Sequence, residues 1–188
     1  MKTITRTLKL FAILLIIVGV VYPVAVTVFA QLIFPKEAGG SLLHDSGGNI
    51  TGSALIGQPF SDPKYFWSRP SATSGYPYNP MASGGSNLGP TNKDLLDQIS
   101  NRTELLKSSG IQIPVPSDLV EASASGLDPH ISVQSALIQI PRVARARNLD
   151  EGRVSNLVLE NVENRQFGFL GEQRINVLEL NLALDSMK

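Results

Sequence analysis

The sequence predicts a single N-terminal transmembrane helix followed by one extracytoplasmic α+β domain. Three observations predict it. Residues 10–30 form an apolar run of 21 residues without a charge, the only charges before that run are Lys2, Arg6 and Lys9, and beyond it helical stripes are interspersed with short apolar segments bounded by turn residues. At about 1.5 Å per residue the run covers roughly 30 Å as a helix, the hydrocarbon thickness of a bilayer. Cationic flanks stay in the cytoplasm. Residues 1–9 are therefore expected as a cytoplasmic basic tail, 10–30 as the span, 31–40 as a juxtamembrane linker and 41–188 as the domain outside the cell membrane. A cleaved export signal ending at Ala30 is the rival reading, but the run exceeds the roughly 7 to 15 apolar residues such a signal needs.

Inside the run, Ala12, Gly19 and Val26 recur at heptad spacing, a side small enough for another helix to approach. Tyr22 and Pro23 interrupt one backbone hydrogen bond and predict a bend that neighbouring protein covers. The chain has 188 residues and no cysteine, which excludes disulfides and thiolate zinc sites and leaves the outer domain to stand on packing. Of 16 basic and 16 acidic residues, three basic ones lie in the tail, so the outer part carries 13 against 16, a net of −3. That balance argues against nucleic acid and slightly favours cations near the surface.

After a linker with Phe34, Pro35 and a Gly pair, two apolar segments flank Asp45, Ser46, Gly47, Gly48 and Asn49, the composition of a hairpin turn, with a solvated His44 at its start. Residues 60–92 are rich in Pro, Gly, Ser and Asn and hold most of the aromatic residues, which predicts an ordered irregular segment that presents a binding surface. Its candidate partner-binding residues are Tyr65, Phe66, Trp67, Arg69, Tyr78, Asn87 and Asn92. Thr91 with Asp94 predicts a helix start, and Leu95, Leu96, Ile99, Thr103 and Leu106 its stripe. An extended stretch over 111–116 and a short helix from Ser117 follow. Asp128 and Pro129 resemble a helix entrance leading to Val133, Ala136 and Leu137, until Pro141 breaks the stripe. Asp150 is expected to cap a last helix to about Val162. The final INVLELNLAL, from Ile175, alternates as a strand with one strongly apolar face.

Three segments invite chemistry. The glycine-rich 82–92 leads into a helix and offers backbone N–H groups to an anion, but it lacks the residues of a Walker loop or a dinucleotide fingerprint and reads rather as a turn-rich loop capping the helix. In 123–132, Asp128 and His130 beside several serines resemble the parts of a hydrolase, without the strand–nucleophile–helix elbow. Arg142 and Arg145 lie three apart, as a carboxylate or phosphate clamp or as a solvated face. No catalytic or metal-binding residue is assigned. On physics alone, the sequence describes an anchored outer domain with a partner-binding loop.

Read in order, GSALIGQPF (52–60), YFWSRPSA (65–72), YNPMASGGSNLGPTN (78–92), PVPSDLVEASASGLDPHIS (114–132), VARAR and INVLELNLAL resemble the C subunit of the Kdp-type potassium-transporting P-type ATPase, over nearly the whole chain. His130 departs from the Asn that many relatives carry. The resemblance implies a non-catalytic accessory subunit of a high-affinity potassium uptake pump. Its implied partners are an ATPase subunit, a potassium-channel-like subunit and a small membrane subunit. It also implies a catalytic chaperone that raises the ATP affinity of the ATPase subunit. Ser83, Gly84, Gly85 and Ser86 look like part of an ABC-type signature loop, so ATP is the one cofactor implied, with none held tightly. ATP is cytoplasmic, whereas the basic tail places this loop outside. Indirect coupling through the assembled pump, with the domain over the outer potassium entrance, reconciles the two. The readings from other classes are a free-standing exported hydrolase using His130, a secreted binding domain and a lone structural membrane protein.

Overall fold

The structure, a computed structural model, describes residues 2–45, 47–112 and 114–187; Ser46 of the predicted turn, Ile113 of the predicted extended stretch and the two terminal residues lie outside these. The chain divides into two units, 1–42 and 43–188.

The first unit is helical. Helices α1 (Lys2–Ile16) and α2 (Tyr22–Ile33) are joined by a π-helical turn, Ile17–Val21, into one continuous helix of 32 residues. Pro23 has no N–H to give the Gly19 carbonyl, and the backbone widens just before it, with the Tyr22 N–H donating to Ile17 O five residues back. The interruption read from Tyr22 and Pro23 is therefore present as one wide turn. The helix extends past the apolar run at both ends, into the basic tail and through Ile33, and a short helix α3 (Pro35–Ala38) follows. The predicted linker is thus largely helical. The apolar side chains of α1 and α2 are exposed, as expected of a helix whose solvent is lipid.

The second unit opens on the expected hairpin, β1 (Leu42–His44) and β2 (Ile50–Ser53). Asp45 closes its turn by accepting the N–H groups of Gly47 and Asn49 at 2.8 and 2.9 Å. Residues 54–92 are irregular apart from one 3-10 turn, Pro80–Ala82. Helix α4 (Lys93–Ser108) is capped by Asn92, whose side chain accepts from the Asp94 N–H, rather than by Thr91. A 3-10 turn, Ser117–Leu119, precedes β3 (His130–Ser132), α5 (Val133–Leu137), α6 (Ile140–Arg147), α7 (Glu151–Glu160), β4 (Arg174–Asn176) and α8 (Val177–Ser186).

Two expectations are corrected here. Asp128 does not cap a helix: the chain runs on as β3, antiparallel to β4 with Ile131 opposite Ile175, and Ser132 caps α5 by accepting from Ser135 N–H. The C-terminal run is a helix, not a strand. Its leucines alternate, but Val177, Leu180, Asn181 and Leu184 also form one helical face, and that face is buried. Asn176 decides between the periods, because its side chain accepts from the N–H groups of Leu178 and Glu179 and starts the helix. Asp150 caps α7 as expected, accepting from Arg153 N–H at 3.1 Å.

The core lies between α5–α8 and the β3–β4 pair. Ala136, Ile140, Val143, Val154, Val158, Val177, Leu180 and Leu184 meet there around Ile131, Ile175 and the inserted ring of Phe66.

Candidate functional site

The irregular segment is held by buried side chains rather than by a sheet. Asn181 on α8 accepts the Phe66 N–H (2.9 Å) and donates to the Phe66 carbonyl (3.0 Å). Gln139, between α5 and α6, treats Trp67 the same way, accepting its N–H at 2.7 Å and donating to its carbonyl at 3.2 Å. Each amide is 0–2 % exposed and mimics the donor–acceptor pair of a neighbouring strand. Arg142 extends the arrangement: its guanidinium lies 4.2 Å from the Trp67 ring centre and donates to Gln139 Oε1 and Pro63 O. Burial pulls the Arg142 pKa down to about 10, against the opposing charge of Asp62.

Of the candidate partner-binding residues, Phe66 and Tyr78 are buried and Trp67, Tyr65 and Arg69 are half-buried. The Tyr65 hydroxyl donates to Asp185 at 3.0 Å, and Arg147, which also binds Asp185, lies over its ring. Tyr78 donates to the carbonyl of Arg69 and packs so closely on Gly57 that a side chain there would strike its ring. Burial pushes the Tyr78 hydroxyl up to about 12. Asn87 is exposed with φ +52, a left-handed position that Asn tolerates. Asn92 is occupied as the cap of α4. Aromatic anchoring thus goes largely to the core, while Tyr65, Trp67, Arg69 and Asn87 keep surface to offer.

The glycine loop is fastened to a second loop. Gly84 N–H and the Ser83 hydroxyl both donate to Ser125 O, at 2.8 and 3.1 Å. Gly85 lies against Ala124, where a Cβ would sit 3.0 Å from its carbonyl oxygen. Gly126, at φ +69, leaves no room for a Cβ beside Thr73 and Gly84 O. These glycines allow two backbones to touch. The helix that follows begins only at Lys93 and is already capped.

A polar cleft of about 670 Å³ lies beside β3, bordered by Arg69, Asp118, Asp128, His130, Glu172 and Arg174 among others. A chain of polar contacts with an ion pair at each end runs along it. Arg69 Nη1 binds Asp128 at 2.8 Å, Asp128 faces His130 Nδ1 at 3.2 Å, His130 Nε2 faces Glu163 at 3.5 Å, and Glu163 binds Arg174 at 2.8 Å. Burial pushes the Asp128 carboxyl up, but the hydrogen bonds from His130 and the Arg69 charge outweigh it and hold the carboxyl at about 2. Asp118 is taken up by Ser132 N–H and by the hydroxyls of Ser132 and Ser135. His130 therefore faces carboxylates on both nitrogens, and the nearby serines serve Asp118. The hydrolase arrangement needs a serine on the free imidazole nitrogen, and Glu163 occupies that direction. Among the described residues no group of three or more His, Cys, Asp or Glu side chains is set to hold a metal ion. Arg142 and Arg145 do not form a clamp, since the first is buried and the second exposed.

Gln139, Asn181 and Glu163 were missed by sequence reasoning. The first two carried a signal: an amide set among leucines and isoleucines on the buried face of a helix needs a backbone to bind. Glu163 carried none, because its role depends on β4 pairing.

One long apolar helix joined to a small mixed helix–strand domain fits the class of membrane-anchored domains. The particular family follows from comparison. The chain matches the family described as "K+-transporting ATPase, c chain" over residues 4–186. It is 56% identical over 187 residues to a protein named potassium-transporting ATPase KdpC subunit from Geobacter metallireducens, covering 100% of this chain and 99% of the relative. Proteins of the same name from Geotalea uraniireducens and Burkholderia cenocepacia are each 54% identical, covering 100% and 99% of this chain and 99% and 97% of theirs. The chain belongs to the KdpC family, a subunit of the potassium-transporting ATPase.

Proposed function

We propose that the chain is a non-catalytic accessory subunit of an ATP-driven potassium uptake pump, crossing the cell membrane once with its basic tail inside and its domain outside. It raises the ATP affinity of the ATPase subunit through the assembled complex without holding ATP itself. The observation that carries this reading is the closed glycine loop. The Gly84 N–H, the Ser83 hydroxyl and the face of Gly85 are committed to 123–126, so these groups are already engaged within the chain rather than held ready for a phosphate. The partners are the ATPase subunit, the channel-like subunit and the small membrane subunit. The small face of Ala12, Gly19 and Val26 is a site for a neighbouring helix, and the acidic balance of the domain favours cations at the outer potassium entrance.

Topology in intact cells tests this. The chain has no native cysteine, so Ser86→Cys and Met81→Cys give single labelling sites, both exposed. Both are expected to react with a membrane-impermeant thiol reagent added outside. Protection of both until the cells are opened would overturn the orientation and restore ATP contact. In the assembled pump, the Ser83→Ala/Ser86→Ala variant is expected to leave the KM for ATP unchanged; a rise of about tenfold, 1.4 kcal/mol of lost binding, would sink the indirect route.

A further inference from the structure

The most exposed aromatic side chains of the second unit stand together on a narrow tip that nothing above uses. Residues 163–174 form an antiparallel excursion, closed at its base by Glu163 and Arg174, which exchange N–H···O bonds at 2.8 and 3.2 Å, and near its end by Gln166 and Leu170, which do the same at 2.9 Å. At the end are Phe167, 87 % exposed, Phe169, 71 % exposed, and Leu170, 47 % exposed. Phe167 has φ +54, a left-handed conformation that Gly or Asn adopts at little cost and Phe does not. The turn would be easier to build with a polar residue, so the ring is not there for the turn. The charges behind the tip are paired: Arg165 with Glu172 and Arg174 with Glu163.

We propose that this tip is a lipid-binding finger that inserts Phe167, Phe169 and Leu170 into the headgroup–acyl boundary of the bilayer. The inference rests on the membrane anchoring proposed above. Three features favour lipid over a protein partner. The tip offers on the order of 400 Å² of apolar surface, counting two phenylalanines and half a leucine, against about 800 Å² per partner in a stable protein interface. A bilayer demands no matching pocket, and interfacial binding scales with the apolar area inserted. The two ion pairs form an uncharged collar that stops at the level of zwitterionic headgroups, so no lone charge is carried into the boundary. Tethering supplies the rest. Between Ile33 at the end of α2 and β1 at Leu42 lie eight residues, so β1 begins within roughly 30 Å of the end of α2 even if they are fully extended. Weak insertion is then favoured by a high effective concentration.

The test uses the full chain in vesicles of phosphatidylcholine and phosphatidylglycerol. Leu170→Cys, the sole cysteine, is labelled with an environment-sensitive fluorophore, and the vesicles carry a doxyl quencher on the acyl chain. The expected result is emission shifted to the blue and quenched about twofold by the doxyl lipid. Adding Phe167→Ser and Phe169→Ser removes both effects, and a label at Met81→Cys shows neither. Emission typical of water, unquenched, in vesicles that carry the chain on flotation overturns the finger while leaving the anchor intact. Failure to float overturns the anchor and the finger with it. A blue shift that appears only when the other pump subunits are present, without lipid quenching, overturns the finger in favour of a protein contact.

Discussion

Residues 65–67 and 166–170 are both short, irregular and rich in aromatic residues, yet they end in opposite environments. Phe66 is 0 % exposed and Phe167 is 87 % exposed. Hydrophobicity does not separate them; backbone accounting does. An irregular strand enters a core only if its N–H and C=O groups find partners there. Asn181 and Gln139 supply those partners for Phe66 and Trp67. The 166–170 turn pairs Gln166 with Leu170 across itself and leaves its unpaired backbone groups to solvent, so it needs no core and remains outside.

A large effect is expected from breaking the clamp. Gln139→Leu leaves the Trp67 N–H and carbonyl unpaired and removes the acceptor for Arg142, a loss of about 4 kcal/mol when several buried groups at about 1–3 kcal/mol each are stranded. Asn181→Leu strands the Phe66 pair alone, about 3 kcal/mol. Urea unfolding of the chain in detergent, followed by Trp67 fluorescence, measures both. Losses under about 1 kcal/mol would mean that water or a rearranged loop replaces the amides.

This also shows how far the sequence could be read. The long apolar helix, the hairpin around Asp45, the break at Pro141 and the cap at Asp150 all rest on residues adjacent in the chain, and local physics determines them. The C-terminal run could not be settled that way. Its leucines fit both periods, and only the Asn176 cap together with burial of Val177, Leu180 and Leu184 chooses the helix. The site behaves likewise. An ordered aromatic segment was legible from its composition, but its attachment joins Phe66 to Asn181 and Trp67 to Gln139 across 115 and 72 residues, and no pattern in the segment encodes those partners. The role of Asp128 was missed for the same reason: Arg69, 59 residues away, turns an apparent helix cap into an ion pair.

A smaller effect is expected where two backbones touch. Gly126→Ala places a methyl 2.6 Å from Thr73 Cγ2 and 2.8 Å from Gly84 O at a positive φ, costing about 2–3 kcal/mol. Gly84→Ala, in the facing loop, meets nothing within 4 Å and is expected to change stability by less than about 0.5 kcal/mol. Equal effects at the two positions would contradict the packing of 83–86 on 123–126. Smaller still is the polar chain through Asp128. The folded Asp128 carboxyl, held at about 2, lies below its unfolded value of 3.8. Its stabilisation is therefore complete above about pH 4 and lost as pH falls through 2. The shift corresponds to about 2 kcal/mol, which partial exposure of the carboxylate screens to about 1 kcal/mol. Unfolding curves of the wild-type chain and Asp128→Asn should converge as the pH is lowered through that window. Curves that remain parallel would remove Asp128 from the pH dependence.

The exposed tip gives the smallest effect and the sharpest contrast with the clamp. Phe66→Ala empties a core site and is expected to cost about 3–5 kcal/mol, the usual loss for a buried phenylalanine. Phe167→Ser and Phe169→Ser remove two side chains of the same kind, from a turn whose hydrogen bonds between Gln166 and Leu170 involve only backbone. Away from a bilayer, in short-chain detergent, their stability should stay within about 0.5 kcal/mol of wild type. Phe167→Asn should be neutral or slightly stabilising, because Asn adopts a positive φ more readily. A loss above about 1 kcal/mol in any of these variants would mean that the tip packs on its own chain in solution. The difference between the two regions would then be one of degree, and no surface would be left over for lipid.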